Sequence, residues 1–247
     1  MINDIYDVVA HAKKEVKCER KSAKESIDEI AEERSCNNCL YFESRKGKDL
    51  FLWMMKSPQG PSFKFMVQNM NTCSELKLTG NNLKGSRPLL SFDAGFESAP
   101  IMQLMKEMLT HSFGTPRFHP KSKPFYDHVF SFNYHEGKIY FRNYQIVNEK
   151  NDSFKNSDDI SKLSLVEIGP RFSLVPIKAF DGTMGGEALW QNTEYISPTK
   201  LRGKKYDQFL KKRVAKEKRK DYYKGLMDAR RKGVEDLNQA FQSEESD

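Results

Sequence analysis

The sequence predicts an α+β fold, in which helices pack on strands joined mainly by hairpins. Three observations predict it. Apolar residues recur at helical spacing in isolated segments, at Ile2, Ile5, Val8, Val9 and Ala12 and again at Leu104, Met105, Met108 and Leu109. Between those segments the period switches to two, in aromatic-rich runs bounded by Gly and Pro turns. The strands also follow one another directly, instead of alternating with helices as a doubly wound parallel sheet requires.

The elements follow in order. The chain begins inside or near a helix. Ser22 and Glu25 have the spacing of a capping box ahead of Ile27, Ile30 and Ala31, which places the start of a second helix at Ser22. Residues 40–43 and 50–55 read as paired strands around a Lys46-Gly47-Lys48 turn. Pro58-Gln59-Gly60-Pro61 breaks the chain, and Phe63, Phe65 and Val67 alternate in a further strand. Residues 88–92 form a short apolar strand. Ser98-Ala99-Pro100 opens a helix with a cap and a proline in its first turn. Residues 114–124 contain three prolines and cannot be helical. Residues 128–134 and 139–147 form a second aromatic hairpin around His135-Glu136-Gly137-Lys138. The polar stretch 148–162 reads as a mobile surface loop. Residues 163–168 and 172–180 are the last strands, and Gly182 to Gly186 ends them. Beyond Pro198 a long, highly charged helix is expected. Residues 41–54 echo residues 130–144 as aromatic strand, Gly-Lys turn, aromatic strand, which two similar α/β halves explain.

Composition bounds the function. Of 247 residues 38% are hydrophobic and 12% aromatic, enough to build a core, so wholesale disorder is excluded. No apolar run approaches the roughly 18 residues of a membrane span. The first fifteen residues alternate charge with apolar side chains, unlike a signal peptide. Four cysteines without a secretory segment point to a reducing compartment, and the chain reads as a soluble intracellular protein. The net charge of +7 is unevenly placed. Residues 1–198 carry 26 basic and 25 acidic side chains, whereas residues 199–233 carry 15 basic and 4 acidic ones. Residues 234–247 carry five acids and no base. A folded domain over 1–198, a basic helical arm over 199–233 and an acidic tail over 234–247 are therefore expected. The arm suits a polyanion partner, against the blander reading of a solvated helix face.

Several motifs imitate catalytic or metal sites. Gly80 to Ser86 imitates a phosphate-binding loop, but Lys84 precedes the second glycine and Arg87-Pro88 leads into a strand, not a helix. Cys36 and Cys39 have the spacing of half a zinc site, yet no second pair follows, so Cys39 is read as a core residue of a strand. Gly182-Thr183-Met184-Gly185 matches the GxxG of an RNA clamp, a pattern common by chance. His128 beside Asp127 reads as a strand-edge pair and not as a general base. No local pattern marks an activated nucleophile, so no catalytic residue, metal ligand or cofactor is assigned. What remains is basic residues interleaved with Gly, Pro and aromatics: Lys84 and Arg87; Arg117, His119, Lys121 and Lys123 in a stretch with Phe118, Phe125 and Tyr126; Arg142 beside Tyr144; Arg171 beside Phe172. Such stretches suit RNA, because cations meet phosphates while exposed aromatics stack on unpaired bases.

These segments resemble a known family. Residues 76–93, 115–132, 138–146, 165–180 and 185–198 are similar to the Brix-domain proteins of ribosome assembly, above all to the Brix biogenesis-factor subfamily itself. The resemblance implies two similar α/β halves, each like the anticodon-binding domain of class II aminoacyl-tRNA synthetases, followed here by the C-terminal basic helix. It implies a non-catalytic nucleolar protein that binds precursor ribosomal RNA and serves maturation of the 60S subunit. The partners implied are pre-rRNA and pre-60S proteins, including the EBNA-binding-protein homologue, with no membrane and no small-molecule substrate. On this basis RNA contact is expected at the eight basic residues above and, in the arm, at Lys211, Lys212, Arg213, Lys216, Lys218 and Arg219. The alternative is a protein-docking scaffold whose arm serves nuclear import. Relatives open with a hydrophobic strand and a Ser-Arg-rich turn, whereas Met1 falls inside the first helix. The first half's sheet is thus expected to lack a strand, and restoring one upstream is expected to raise solubility.

Overall fold

The structure, a computed structural model, describes residues 1–18, 20–148 and 163–244. The stretch expected as a mobile loop lies, from residue 149 to 162, outside the described residues. Along the chain come α1 (Ile2–Val8), α2 (Arg20–Glu33), β1 (Asn38–Arg45), β2 (Asp49–Lys56), β3 (Ser62–Asn71) and the short α3 (Cys73–Leu76). Then follow β4 (Pro88–Phe92), a 3-10 turn (Ala94–Glu97), α4 (Pro100–Phe113), β5 (His128–His135) and β6 (Lys138–Asn148). β7 (Leu163–Glu167), β8 (Arg171–Gly182), β9 (Gly185–Gln191) and α5 (Pro198–Glu244) complete the chain. The fold is mixed α+β, as its hairpin-linked strands predict.

The two echoed hairpins form by the same turn chemistry. β1–β2 turns at Lys46 (φ 52°) and Gly47 (φ 62°), β5–β6 at Glu136 (φ 48°) and Gly137 (φ 71°). Both turns need a left-handed pair, which matches the twist of the flanking strands. Among the described residues the strands join one nine-stranded sheet in the order β1-β2-β3-β8-β6-β5-β4, with β7 beside β6 and β9 beside β8. Every pairing is antiparallel except β4 with β5, which run parallel and are connected through α4.

Alternation along the strands sorts side chains to two faces. On one face Leu52, Met54, Phe63, Phe65, Phe130, Phe132, Phe141, Phe172 and Leu174 enclose Met102, Met105, Met108, Leu109 and Phe113 of α4 and Ile5 and Val8 of α1. α4 touches β1, β2 and β4, strands from both ends of the order, so the sheet curls around it. Burying each of these large side chains contributes about 1.5–3 kcal/mol, which makes this face the principal source of stability. On the other face Trp53 and Met55 pack against Ile27 of α2, with Trp53 stacked on Phe180 at 5.7 Å. Cys39 and Tyr41 border this smaller cluster.

Local details depart from the expected ones. α2 begins at Arg20, so Ser22 lies within the helix and does not start it; one serine inside costs only a few tenths of a kcal/mol (about 0.5) relative to alanine. Ser98 does not cap α4. Its hydroxyl donates to the Gly95 carbonyl at 2.7 Å, closing the 3-10 turn, while Ala99 is the cap residue and Pro100 opens the helix. Gly182 to Gly186 does not end the sheet but forms the hairpin turn into β9, with Gly182 opposite Gly185 and Met184 left-handed (φ 49°). That excludes a GxxG clamp there. α3 carries a complete capping box, Thr72 with Glu75, that the sequence reading missed.

No cysteine is joined in a disulfide among the described residues. Cys39 lies in β1, and burial, followed by the neighbouring Cys36 and Asp28, pushes its thiol up to about 11, so it stays protonated. Among the described residues no three His, Cys, Asp or Glu side chains come together as metal ligands, and no helix is long and apolar enough to cross a membrane. The chain divides into two units, Met1–Tyr195 and Ile196–Asp247. The second is dominated by α5, a single helix through both the basic arm and most of the acidic end.

Candidate nucleic-acid interface

The parallel pairing of β4 with β5 sets Pro88 opposite His128. Two parallel strands start at the same end of a sheet, so the segments entering them must lie side by side. Those segments are Leu83 to Arg87 and Lys121 to Asp127. The pairing continues into them: Arg87 N donates to Phe125 O at 2.8 Å and Lys123 N to Gly85 O at 2.7 Å. Arg87 Nη2 reaches Ser122 Oγ at 3.3 Å. Gly85 takes φ +86°, and a Cβ there would stand 2.8 Å from Lys121 O, so only glycine allows this approach.

A polar staple locks the two segments. Asp127 Oδ2 accepts the Leu83 N–H at 2.6 Å, and Oδ1 accepts from His128 Nδ1 at 2.6 Å. Ser86 Oγ donates to Leu83 O at 2.7 Å and lies 3.2 Å from His128 Nδ1. Ser86 and Asp127 thus share one ring nitrogen, while His128 Nε2 is buried without a partner among the described residues. A nucleophilic triad needs serine and carboxylate on opposite nitrogens, so this is a brace and not a catalytic relay. Burial holds the His128 pKa below its ordinary 6.5, against the pull of Asp127, which keeps the ring neutral with its proton on Nδ1. For Asp127, burial pushes upward, but hydrogen bonds from His128, Ser86 and the Leu83 N–H outweigh it and hold the carboxyl below its usual range.

The structure therefore brings Lys84, Arg87, Arg117, His119, Lys121 and Lys123 into two adjoining loops. Lys84, Arg117, Lys121 and Lys123 are exposed, and Arg87 is half-buried. His119 is also half-buried, its ring edge-on to His11 at 6.1 Å. Segments 83–88 and 115–126 together hold five Lys and Arg side chains and no acid. Arg142 and Arg171 lie elsewhere, at the junction of β6, β7 and β8. Both face Glu167, whose Oε1 is 3.0 Å from Arg171 Nε and 3.8 Å from Arg142 Nε. Their charge is thus partly answered within the fold.

In the second unit Lys211, Lys212, Arg213, Lys216, Lys218 and Arg219 are all exposed on α5, with Arg213 paired to Glu217 at 3.3 Å. At about 100° per residue the six spread over more than half of the helix circumference; the exposed Tyr206, Leu210 and Val214 fall in the remaining arc, while the exposed Leu201, Phe209, Tyr222 and Tyr223 fall among the cations.

Long stretches of this chain also match known proteins. The family model for the Brix domain matches residues 1–178. The chain belongs to the Brix-domain family. It is 48% identical over 226 residues to the ribosome biogenesis protein BRX1 homolog 1 of Arabidopsis thaliana, covering 89% of this chain and 71% of that protein. It is 47% identical over 198 residues to the ribosome biogenesis protein BRX1 homolog of Xenopus laevis and 48% identical over 198 residues to the one of Homo sapiens. Each of these matches covers 80% of this chain, with 55% of the frog protein and 53% of the human one, so the chain spans about half the length of its vertebrate relatives. In this Brix domain the two basic loops flank the parallel strand pair, and the brace of Ser86, Asp127 and His128 sets their spacing. Sequence reasoning noted Asp127 only as a neighbour of His128 and Ser86 only within a false phosphate loop. No local signal links them, because the link is a strand pairing between distant segments.

Proposed function

We propose that this protein is a non-catalytic assembly factor of the large (60S) ribosomal subunit that binds precursor ribosomal RNA in the nucleolus. The single observation that carries the reading is the pair of basic loops, 83–88 and 115–126, which hold five cations and are clamped together beside the one carboxylate of Asp127. Phosphates are the natural partner of such a surface, since each contact releases condensed counterions. The names of the relatives, ribosome biogenesis proteins, supply the biological setting. Within that setting the domain positions a pre-rRNA segment and a protein partner, the EBNA-binding-protein homologue, on the pre-60S particle. The arm residues Lys211, Lys212, Arg213, Lys216, Lys218 and Arg219 run along phosphates, and Arg142 and Arg171 add contacts at the sheet.

Ultraviolet crosslinking of the tagged protein in cells, followed by sequencing of the attached RNA, tests this. A sharp peak on large-subunit precursor rRNA is expected. Reads spread over abundant RNAs would overturn specific recognition.

A second reading is favoured by the apolar side chains that α5 exposes, Tyr206, Phe209, Leu210 and Val214 among them, which suit docking on protein. The arm then serves attachment or nuclear import, and RNA contact is minor. Removing residues 199–247 separates the two: lost nucleolar entry with intact RNA affinity favours the second.

A further inference from the structure

The loop that enters β5 displays its aromatic rings outward. Phe118 is 93% exposed, Phe125 57% and Tyr126 56%. Phe118 also holds φ +60°, a left-handed conformation uncommon for a bulky side chain. A phenylalanine so placed gains no burial, so packing does not explain it.

The backbone that carries the rings is nevertheless held in place. Phe125 O accepts the Arg87 N–H, which ties that residue to the neighbouring loop. Around Phe118, His119 N donates to Pro116 O at 3.4 Å, Ser122 N to His119 O at 3.0 Å and Ser122 Oγ to the same carbonyl at 2.8 Å. The loop backbone is thus a sequence of closed turns, which fixes where the rings are attached before a partner arrives. Preorganised aromatics lose little entropy on binding.

Resting on the RNA reading above, we propose that these loops take a single-stranded stretch of RNA, with unpaired bases stacked on Phe118, Phe125 and Tyr126. The cations that precede and separate the rings, Arg117, Lys121 and Lys123, meet its phosphates. Stacking requires an open base face, which a duplex hides and an unpaired segment offers. Exposed rings set among cations, with Asp127 engaged in the brace as the neighbouring acid, form the platform and funnel that single strands use. An apolar protein patch, by contrast, is depleted of lysine at its centre.

The test uses the full chain, a short labelled single-stranded RNA and the same RNA annealed to its complement. The triple variant F118A/F125A/Y126A is expected to lose about tenfold or more in single-strand affinity, the scale of one or two lost base stacks. Its duplex affinity is expected to stay within about twofold, because the phosphate contacts remain. Its melting temperature should not move, since the rings are exposed. F118W is expected to retain single-strand affinity and to show indole quenching on binding. Equal losses for single strand and duplex, or no loss for either, would overturn the stacking inference and leave RNA binding itself intact. Wild-type protein that binds neither RNA would overturn the RNA reading underneath. A triple variant that keeps its RNA affinity but no longer co-sediments with pre-ribosomal particles would reassign the rings to a protein contact.

Discussion

The Asp127 carboxylate accepts a hydrogen bond of 2.6 Å from the backbone N–H of Leu83, 44 residues earlier in the chain. That bond, with the one from His128, fixes the loop before β4 against the segment entering β5. D127A removes the acceptors of the exposed Leu83 N–H and of the buried His128 ring, an expected loss of about 1–3 kcal/mol. D127N keeps one carbonyl oxygen and should lose less. Urea unfolding of the three proteins measures this, and a D127A midpoint equal to wild type would show that the brace carries no stability.

The same brace predicts a pH dependence. His128 has a folded pKa below 6.5, from burial foremost, and His11 is lowered in the same way, by burial and then by His119. Below about pH 6.5 the unfolded chain binds protons that the folded chain refuses, so stability should be level above that value and decline as pH falls beneath it. The depressed Asp127 acts in a separate window, its contribution being lost only as pH falls below its ordinary 3.8. H128N places an amide N–H near the Nδ1 position without a titrating group, and should flatten the decline. Parallel profiles of midpoint against pH for H128N and wild type would contradict the assignment.

Glu43 is a buried carboxylate in the first half of the sheet. It lies 2.7 Å from Arg45 Nε, 3.2 Å from Trp53 Nε1 and 3.6 Å from Lys64 Nζ, and Lys64 itself sits 4.4 Å above the Trp53 ring. Burial pushes the carboxyl upward, but the hydrogen bonds from Arg45 and Trp53 and the Lys64 charge hold it below its usual range. E43A removes the carboxylate that faces Arg45, Trp53 and Lys64 and should cost about 3 kcal/mol. The double variant E43L/K64M removes both charges and should recover most of that loss. Strict additivity of E43L and K64M in a denaturation cycle would refute the pairing.

For the arm, changing Lys211, Lys212, Arg213, Lys216, Lys218 and Arg219 to Gln keeps helix propensity close to its original value. Each phosphate contact contributes about 0.7 to the slope of log affinity against log salt for a single strand, so six lost contacts lower it by up to about 4. Titrations across a salt series read the slope, with circular dichroism as the check on α5. An unchanged slope removes the arm from RNA binding.

The hairpins were legible because their signals are local. Phe63, Phe65 and Val67 alternate on the page as they do in β3, and Gly47 and Gly137 mark turns that need left-handed residues. β9 was not legible. Its residues are mostly exposed on both faces, so no period of two develops. The start of α2 was misplaced for a related reason, since Ser22 is as compatible with a helix interior as with a cap. At the site, each cation could be named as a candidate, but Arg142 and Arg171 could not be seen to share Glu167.

By itself the sequence determined the α+β class, the strand-turn-strand units, the absence of any local catalytic motif and the concentration of positive charge after residue 199. These follow from periodicity, turn chemistry and composition, each readable within a few residues. Only the tertiary structure decided that the segment of Lys84 and Arg87 adjoins that of Lys121 and Lys123, that Asp127 braces Leu83, and that Phe118 faces solvent. Those facts depend on the parallel register of β4 and β5, with Pro88 opposite His128. Periodicity states which side of a strand is apolar, but a strand's neighbour is chosen by packing across the whole sheet, and here α4 and the curl of the sheet around it make that choice.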